Sequence, residues 1–538
     1  MKRTFGMIVL LGMSLPLFGI ELTFGEADRM IEARKAGWLE KAKALQPTLL
    51  HETLTPTGIV TIAEDPSGFQ GWKITGRKPF QPAPDFVLDF GRHLTGYFRF
   101  TLKAGRRPLH FPLRLRLVFG ETPAEVMGDP DAKPTGLSRA WYQDEVVTID
   151  FVPGEIALPR RYAFRYVRCT IPEYKQADGL FAFDGFFADA VTSADERKLA
   201  PCPVRDPAEQ RLDAIARHTL RDCMQTMFED GPKRDRRLWL GDLRLQALAN
   251  YETYRNRDLV KRCLYLLAGL SEKDNIVCTD AYDKPVPRAG VCRILDYTAL
   301  FAPTVLEHLD ASGDRETAED LWPMALRQLQ YTLAPVDEDG LFRKAAVWCF
   351  IDWDRDLDKQ AAEQGSILYG LMRTIELANR LGHRDQTAAV EPLVEKMTAA
   401  ARRELWDANR RLFVSGPGKQ VSMASQIWMV LSGVVTGQEA RDCLVNAAAT
   451  PGVRKPLTPY LRNYWIEALD VAGLRDDARR ELMAYWGGMA DRGADTFWEG
   501  FDPGDDFFSP YGNPLINSCC HAWSCAPCYF LRRWAKTR

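Results

Sequence analysis

The densest polar segment of the chain, residues 229–242, carries the side chains best suited to acid–base chemistry. They are three carboxylates, one guanidinium and one indole: Asp230, Asp235, Asp242, Arg234 and Trp239. If the segment is helical, Asp235 and Asp242 are two turns apart and share a face with Trp239. This set supplies what sugar chemistry needs: a proton donor, acceptors for hydroxyl groups and a flat stacking surface. Asp residues also commonly begin helices, so spacing alone leaves a sugar site and a helix-capping run equally open.

Three later segments combine polar and aromatic side chains in a similar way. Trp498 and Glu499 precede a loop rich in Gly, Pro and Asp, and Asp352 and Trp353 interrupt two helical runs. His521 lies shortly before the end of the chain. A lone His is more often structural than functional, so His521 indicates a functional site only in combination with the other segments.

Residues 56–200 read as short strands separated by Gly and Pro turns. Residues 113–119 alternate apolar and charged side chains with period two, as a half-buried strand does. Residues 86–90 and 97–102 read as two strands joined by a Gly-bearing turn, and further strands are expected within 145–152 and 162–171. This pattern predicts an antiparallel β-sandwich.

The region that follows, residues 201–538, begins with a Pro-rich segment and then shows apolar faces at helical spacing almost to its end. At ordinary loop lengths a region of this size holds about a dozen helices. This predicts an (α/α)6 barrel, in which six helical hairpins close into a ring. An open helical solenoid is the alternative, but it would show a fixed sequence period, and none is visible.

Taken in order, the motifs resemble glycoside hydrolase family 78, the bacterial α-L-rhamnosidases. That family carries an acidic block ending in W-x-G-D, then D-W, then T-x-W-E, and then an Asn and a His near the last helix. The matching positions in this chain are residues 230–242, 352–353, 496–499, Asn517 and His521. Residues 86–100 and 160–170 look like the family's β-sandwich just before the barrel.

The resemblance implies an inverting glycosidase, in which an acid protonates the glycosidic oxygen and a base activates water on the opposite face. Glu499 occupies the family's general-base position, and Asp235 lies where the family usually has its general-acid Glu. The other matched or adjoining positions are expected to bind the sugar: Asp230, Arg234, Trp239, Asp242, Asp352, Trp353, Trp498 and His521.

Asp235 is the position at which this chain departs from the family. An Asp proton would sit about 1.5 Å further back than a Glu proton, and a misplacement near 1 Å can cost about a hundredfold in rate. Three explanations are open: the backbone has moved in, the leaving group differs, or the site binds sugar without cleaving it.

The leading functional hypothesis is a secreted exo-glycosidase that removes terminal α-L-rhamnosyl or related residues from an oligo- or polysaccharide. One rival is a non-catalytic carbohydrate-binding relative, motivated by Asp235. The other is a different (α/α)6-barrel glycosidase or a polysaccharide lyase. A lyase would move its proton with Tyr or His beside a charge-neutralising group, and the acidic motifs do not have that character.

The N-terminus predicts export. Lys2 and Arg3 precede the apolar run at residues 5–18, which is typical of a signal peptide over residues 1–19. The alternative is an uncleaved anchor helix. Residues 20–55 read as an N-terminal helical or linker segment, and the mature protein is expected in the periplasm or outside the cell, free of the membrane.

Composition narrows the partners further. Lys plus Arg number 70 and Asp plus Glu number 72, for a formal charge of −2, which argues against nucleic acid as a partner. Eleven of the fourteen Trp follow residue 200, so aromatic sugar contacts are expected in the helical region. The single C-x-x-C, Cys525 to Cys528, reads as buried thiols or a local disulfide. No metal or other cofactor is expected, and the oligomeric state is left open.

Overall fold

The computed structural model describes residues 16–17, 20–21, 24–81, 83–272, 274–343 and 346–537. The predicted signal peptide, residues 1–19, lies outside these ranges except for residues 16–17. Within the described ranges, no helix is long and apolar enough to cross a membrane.

The strands are mostly confined to the N-terminal half of the chain. They are β1 (Pro16–Leu17), β2 (Ile20–Glu21), β3 (Leu50–Leu54), β4 (Gly58–Glu64), β5 (Trp72–Lys78), β6 (Asp85–Ala104), β7 (Leu113–Gly120), β8 (Gln143–Ile149), β9 (Gly154–Ala157), β10 (Tyr162–Thr170), β11 (Phe181–Thr192), β12 (Leu238–Trp239), β13 (Asp280–Tyr282), β14 (Arg288–Ala289), β15 (Trp406–Asp407) and β16 (Leu412–Phe413). Strands β3 to β11 form one antiparallel sheet, with the order β3-β11-β6-β10-β7-β8 along its main path. Strands β4 and β9 also pair with β6, and β5 pairs with β4. The predicted antiparallel β domain is confirmed, and its strands are joined in a single sheet.

Both faces of the central strands are covered, and the two faces differ in character. One face carries an aromatic core in which the Phe98 ring contacts the Phe119 ring edge-on, with centroids 5.3 Å apart. The other face, with Val87 and Val118, packs against Ile516 of the helical domain. The period-two alternation along β6 and β7 therefore separates a core face from an interdomain face.

The expectation of two strands joined by a turn near residue 91 is wrong, because β6 runs unbroken through it. Gly91 adopts a left-handed φ of 83°, and its backbone N–H donates to the Asp89 carboxylate at 2.8 Å. Opposite, β10 shifts register between Phe164 and Tyr166. The Gly thus forms a bulge inside a long strand, and a bulge and a turn use the same residue types.

The helices dominate the chain after residue 200. They are α1 (Gly25–Ala44), α2 (Pro123–Met127), α3 (Tyr174–Ala177), α4 (Pro207–Cys223), α5 (Leu240–Glu252), α6 (Arg257–Gly269), α7 (Leu295–Ala299), α8 (Phe301–Ser312), α9 (Arg315–Leu333), α10 (Gln360–Leu381), α11 (Arg384–Thr387), α12 (Glu391–Glu404), α13 (Met423–Leu431), α14 (Gly437–Ala449), α15 (Pro459–Val471), α16 (Arg475–Asp491) and α17 (Ala526–Lys536). The inner helices of the barrel are α5, α8, α10, α13, α15 and α17. Helix α5 packs on α8, α8 on α10, α10 on α13 and α13 on α15, and α17 packs on α5. Their outer partners are α6, α9, α12, α14, α16 and α4, respectively. Six hairpins closed in a ring confirm the (α/α)6 barrel over the open solenoid.

Helical periodicity is continuous in the sequence over residues 240–267 and over residues 460–485, but the structure divides each stretch into the two helices of a hairpin. The first break lies before Asn256, whose side chain accepts a hydrogen bond from the backbone N–H of Leu259 at 3.1 Å and so caps α6. Apolar periodicity continues on both sides of such a break, because both helices bury a face in the same core.

The segment at residues 20–55 is shared between the two domains. Helix α1 packs against α6 and α9 of the barrel, with Trp38 fully buried. Strand β3 pairs with β11 at the edge of the sheet. The N-terminal segment therefore crosses from the barrel to the sheet.

Candidate functional site

A pocket of about 350 Å³ opens at the end of the barrel where inner helices begin. The segments that lead into α5, α8, α10 and α17 supply its walls. Its lining side chains are Asp230, Arg234, Asp235, Trp239, Asp242, Ile294, Tyr297, Trp348, Phe350, Trp353, Glu499, Tyr511, His521 and Trp523. The structure thus brings together eight of the ten residues that the sequence predicted for substrate binding or catalysis, and they come from all four motifs.

The acidic segment before α5 is a loop, so the helical face expected for Asp235, Trp239 and Asp242 is wrong. The loop closes on itself, since the N–H of Asp230 donates to the Arg237 carbonyl at 2.9 Å. Gly231 is needed there, because a Cβ would lie 2.7 Å from both the Arg234 carbonyl oxygen and a Ser518 hydroxyl. The carboxylates therefore converge through loop curvature rather than through helical spacing.

Arg234 joins the two residues with predicted catalytic roles. Its Nη2 pairs with the Glu499 carboxylate, and its Nη1 lies 3.4 Å from Asp235 Oδ1. The Tyr511 hydroxyl also donates to Glu499, and the Arg234 guanidinium lies over the Tyr511 ring, 4.3 Å from its centroid. The backbone N–H of Ser518 approaches the Glu499 carboxylate at 3.3 Å. Glu499 is thus held by groups on three sides.

These contacts set the ionisation of Glu499. Burial by itself would raise its pKa, but the Arg234 charge and the hydrogen bonds from Arg234 and Tyr511 outweigh burial and lower the pKa to about 2. Glu499 is therefore a carboxylate throughout the range in which proteins normally work. The Asp235 side chain is 20% exposed and lies nearer to solvent.

Asp230, Asp242 and His521 form the floor of the pocket. Burial, followed by the charges of neighbouring carboxylates, raises the pKa of both Asp230 and Asp242 well above the ordinary value. Burial lowers the pKa of His521 to about 3, so its imidazole is neutral. His521 lies 3.8 Å from Asp230 and 3.7 Å from Asp242, too far for hydrogen bonds.

Several buried polar atoms in the pocket have no hydrogen-bond partner within the described part of the chain. They include Asp242 Oδ1, His521 Nδ1, Trp353 Nε1 and Arg234 Nε. Buried polar groups are normally paired, so a cluster of unpaired ones facing one cavity indicates that a polar ligand completes them.

Aromatic side chains line the rest of the pocket. Besides the predicted Trp239 and Trp353, sequence reasoning missed five of them: Tyr297, Trp348, Phe350, Tyr511 and Trp523. Trp348 and Phe350 lie within five residues of Trp353, so proximity to a motif could have identified them. Tyr297 and Tyr511 carried no comparable signal.

Two predicted sugar-binding residues, Asp352 and Trp498, do not line the pocket. Asp352 accepts hydrogen bonds from the Leu457 N–H and the Thr458 hydroxyl, both at 2.7 Å, so it anchors the loop that presents Trp353. Trp498 stacks on Phe69 of the β domain, with centroids 4.1 Å apart. Glu499 faces the pocket, whereas its neighbour Trp498 faces the β domain.

A buried ion pair links the acidic loop to the β domain. Lys233 Nζ lies 2.9 Å from the Glu125 carboxylate and donates to the carbonyls of Leu515 and Asn517 at 3.0 and 2.8 Å. On the same segment the Cys519 N–H donates to Glu121 at 2.5 Å. Because Asn517 and Cys519 flank the residue that contacts Glu499, these contacts fix the base-bearing wall of the pocket against the sheet.

This cluster also contains the side chains that could hold a metal ion among the described residues: Glu121, Glu125 and Cys519. The Lys233 ammonium already lies against Glu125, and burial raises the pKa of the Cys519 thiol well above its ordinary value. A protonated thiol beside an ammonium ion is a poor cation site, so the donor set does not fit a metal. All twelve cysteines, including Cys525 and Cys528, are free thiols.

We expect Lys233→Met to lower the free energy of unfolding by about 3 kcal/mol, because it leaves a buried carboxyl without its partner. Urea unfolding at neutral pH measures the change. The exposed Lys198→Met serves as the matched control and should change stability little. Adding Glu125→Gln to Lys233→Met should recover part of the loss; equal stability of Lys233→Met and Lys198→Met would contradict the prediction.

Comparison with known proteins gives a consistent result. Residues 56–178 match the glycosyl hydrolase family 78 α-rhamnosidase N-terminal domain, and residues 204–534 match the bacterial α-L-rhamnosidase six-hairpin glycosidase domain. No curated protein sequence matches the chain.

Solved structures show the same likeness. A rhamnosidase from Klebsiella oxytoca with rhamnose bound is 40% identical over 93% of this chain and 98% of that one, with a TM-score of 0.88. The family 78 rhamnosidase of Bacillus sp. GL1 has a TM-score of 0.70 at 22% identity, over 84% of this chain and 46% of that one. The Streptomyces avermitilis α-L-rhamnosidase complexed with L-rhamnose has a TM-score of 0.65 at 16% identity, over 90% of this chain and 44% of that one. This chain spans less than half of the latter two, and at those identities they show the fold alone.

Proposed function

The chain belongs to the glycoside hydrolase family 78 α-L-rhamnosidases, and from this premise we propose that it removes single terminal α-L-rhamnosyl residues by an inverting, two-carboxylate mechanism. The observation that carries the proposal is the shared guanidinium: Arg234 contacts both Glu499 and Asp235 inside one pocket. One carboxylate is buried and ionised, and the other lies towards solvent. That asymmetry suits a base inside and an acid at the leaving-group side.

The polar and aromatic side chains that line the pocket match the hydroxyl groups and the apolar part of rhamnose. Its hydroxyl groups can bind the unpaired polar atoms of Asp242, His521 and Trp353. Its C6 is a methyl group, which packs well against the aromatic wall. The Klebsiella oxytoca relative holds rhamnose, which is consistent with this assignment.

In the proposed reaction Glu499 takes a proton from a water molecule, whose oxygen attacks the anomeric carbon. The bond from that carbon to the glycosidic oxygen breaks, and Asp235 gives its proton to the leaving oxygen. Solvent exchange then returns a proton to Asp235 and removes one from Glu499. Arg234 keeps Glu499 ionised before the attack and balances charge around both carboxylates.

Hydrolysis of nitrophenyl glycosides tests the substrate. We expect turnover of the α-L-rhamnoside and little of the corresponding glucoside, galactoside or xyloside. Proton NMR of the first product tests the stereochemistry: inversion releases β-rhamnose first, which then equilibrates. Release of α-rhamnose first would exclude the inverting mechanism, and no turnover of any rhamnoside would exclude the proposed activity.

The pH dependence of kcat/KM should report on Arg234. Since the pKa of Glu499 is about 2, its carboxylate persists above that pH. We therefore expect no decrease in kcat/KM from protonation of Glu499 down to about pH 4. Arg234→Gln removes the charge that lowers this pKa, so Glu499 becomes protonated at higher pH. The acidic limb should then move up by about one to three units. An unmoved limb would contradict the assignment of Glu499 as base.

We further propose that the protein is exported through residues 1–19, as Lys2, Arg3 and the apolar run after them suggest. Cell fractionation combined with mass spectrometry of the N-terminus tests export. We expect the mature protein to begin near residue 19, after removal of the signal peptide, and to be found outside the cytoplasm. An intact Met1 in the cytoplasmic fraction would contradict export.

A further inference from the structure

A small sheet beside Asp235 extends the pocket outwards. In this sheet β12 pairs with β13 and β13 pairs with β14. Trp239 lies opposite Asp280, and Tyr282 lies opposite Arg288. Arg237, directly before β12, falls level with Tyr282 when this register is continued by one residue. Three side chains are therefore aligned across the sheet: Arg237, Tyr282 and Arg288.

Ring contacts show that these side chains share one face. The Arg237 and Arg288 guanidinium carbons each lie 4.6 Å from the centroid of the Tyr282 ring, and Arg237 lies 5.6 Å from the Trp239 ring. Trp239 lines the pocket, so this face begins at the pocket wall and leads away from it. We call the surface formed by Arg237, Tyr282 and Arg288 the guanidinium shelf.

The shelf lies next to the side chain that would protonate the leaving oxygen. Asp235 and Arg237 are two residues apart, and the Asp235 carboxylate helps to raise the pKa of Arg237 although burial opposes it. A sugar attached through the protonated oxygen leaves past Asp235. Such a sugar is expected to lie on the side of the pocket where the shelf begins.

The two guanidinium groups retain free binding capacity. Arg288 is exposed, and no carboxylate of the described chain forms a salt bridge with it. Arg237 pairs through Nη1 with Asp280 at 3.2 Å, but its buried Nε has no hydrogen-bond partner among the described residues. The charged groups that face the shelf from the packed elements are Asp235 and Asp280. The shelf therefore offers one fully free guanidinium and one partly free one.

We propose that the guanidinium shelf binds the leaving group, and that the leaving group is a hexuronic acid or a similar carboxylate-bearing sugar. Guanidinium groups bind carboxylates bidentately. The pocket itself contains four acidic side chains and one Arg, so an anionic leaving group would be repelled without cations at this rim. The inference rests on the proposed function, because it assigns the leaving side to Asp235.

Two disaccharides that differ at one carbon test the shelf. One is α-L-rhamnosyl hexuronate, and the other is its counterpart with the carboxylate reduced to a primary alcohol. We expect kcat/KM of the wild-type protein to be about tenfold higher for the uronate, because one charge-assisted hydrogen bond contributes a gain of this size. Because the contact is ionic, this preference should shrink when salt is raised from about 0.05 to 0.5 M.

Arg288→Gln is the test variant because Arg288 is exposed and touches no catalytic group. We expect it to remove most of the uronate preference and to leave turnover of the neutral disaccharide and of nitrophenyl rhamnoside within about twofold. Arg106→Gln, at an exposed position in the β domain, is the matched control and should change none of these values.

Equal kcat/KM for the two disaccharides with the wild-type protein would overturn the inference. So would an equal loss on both substrates with Arg288→Gln. In either case, continued hydrolysis of nitrophenyl rhamnoside would leave the proposed function intact. If the wild-type protein hydrolyses no rhamnoside, the proposed function fails and the leaving-group assignment fails with it.

Discussion

Replacing Glu499 with glutamine is expected to lower kcat on nitrophenyl α-L-rhamnoside by about a thousandfold. A general base contributes typically 10²–10⁴ in rate, and glutamine keeps the shape of the side chain without a basic oxygen. Rhamnose binding should stay within about threefold, since Asp230, Asp242, His521 and the aromatic wall remain. Steady-state kinetics and titration calorimetry with rhamnose measure the two quantities.

The control for this variant must separate chemistry from folding. Glu499→Gln removes the charge that pairs with the buried Arg234, and breaking a buried pair commonly costs about 3–5 kcal/mol. Thermal unfolding of the variant therefore accompanies the kinetics. Tyr511→Phe keeps that charge pair and deletes one hydrogen bond to Glu499, so it should lose far less activity. Unchanged turnover in Glu499→Gln would remove Glu499 from the mechanism.

Replacing Asp235 with asparagine is expected to produce a loss that depends on the leaving group. A rhamnosyl disaccharide needs a proton on its leaving oxygen, so kcat/KM should fall by about a thousandfold. Dinitrophenolate leaves without a proton, so the dinitrophenyl rhamnoside should lose much less. Equal losses on the two substrates would contradict the assignment of Asp235 as the acid and indicate that it binds the sugar instead.

Asp235→Glu tests how the chain accommodates the shorter residue. Asp235 lies 3.4 Å from Arg234, within a loop that closes through the Asp230 to Arg237 hydrogen bond. If that loop holds the shorter carboxylate at the working distance, the extra methylene displaces the proton and activity falls, by up to about a hundredfold. Higher activity of Asp235→Glu would show instead that the native Asp is set too far back.

Much of the architecture followed from local sequence pattern. Period-two alternation at residues 113–119 identified β7, and helical periodicity after residue 200 identified the barrel. Patterns of this kind record which side of an element is buried, and burial is a property of each element by itself. The same patterns could not place breaks, as the division between α5 and α6 and the continuity of β6 through Gly91 show.

The site was predictable by residue type but not by geometry. Residue types and spacing alone left the acidic block open between a sugar site and a helix cap. The order of the motifs, through its resemblance to family 78, joined Asp230, Arg234, Asp235, Asp242 and Glu499 in one expected site. The tertiary structure alone decided that a loop, rather than a helix face, brings the carboxylates together. It also decided that Trp498 packs against the β domain while Glu499 faces the pocket, and that Tyr511 holds Glu499. These outcomes depend on contacts between segments far apart in the chain, and local spacing carries no record of which distant segment a side chain will meet.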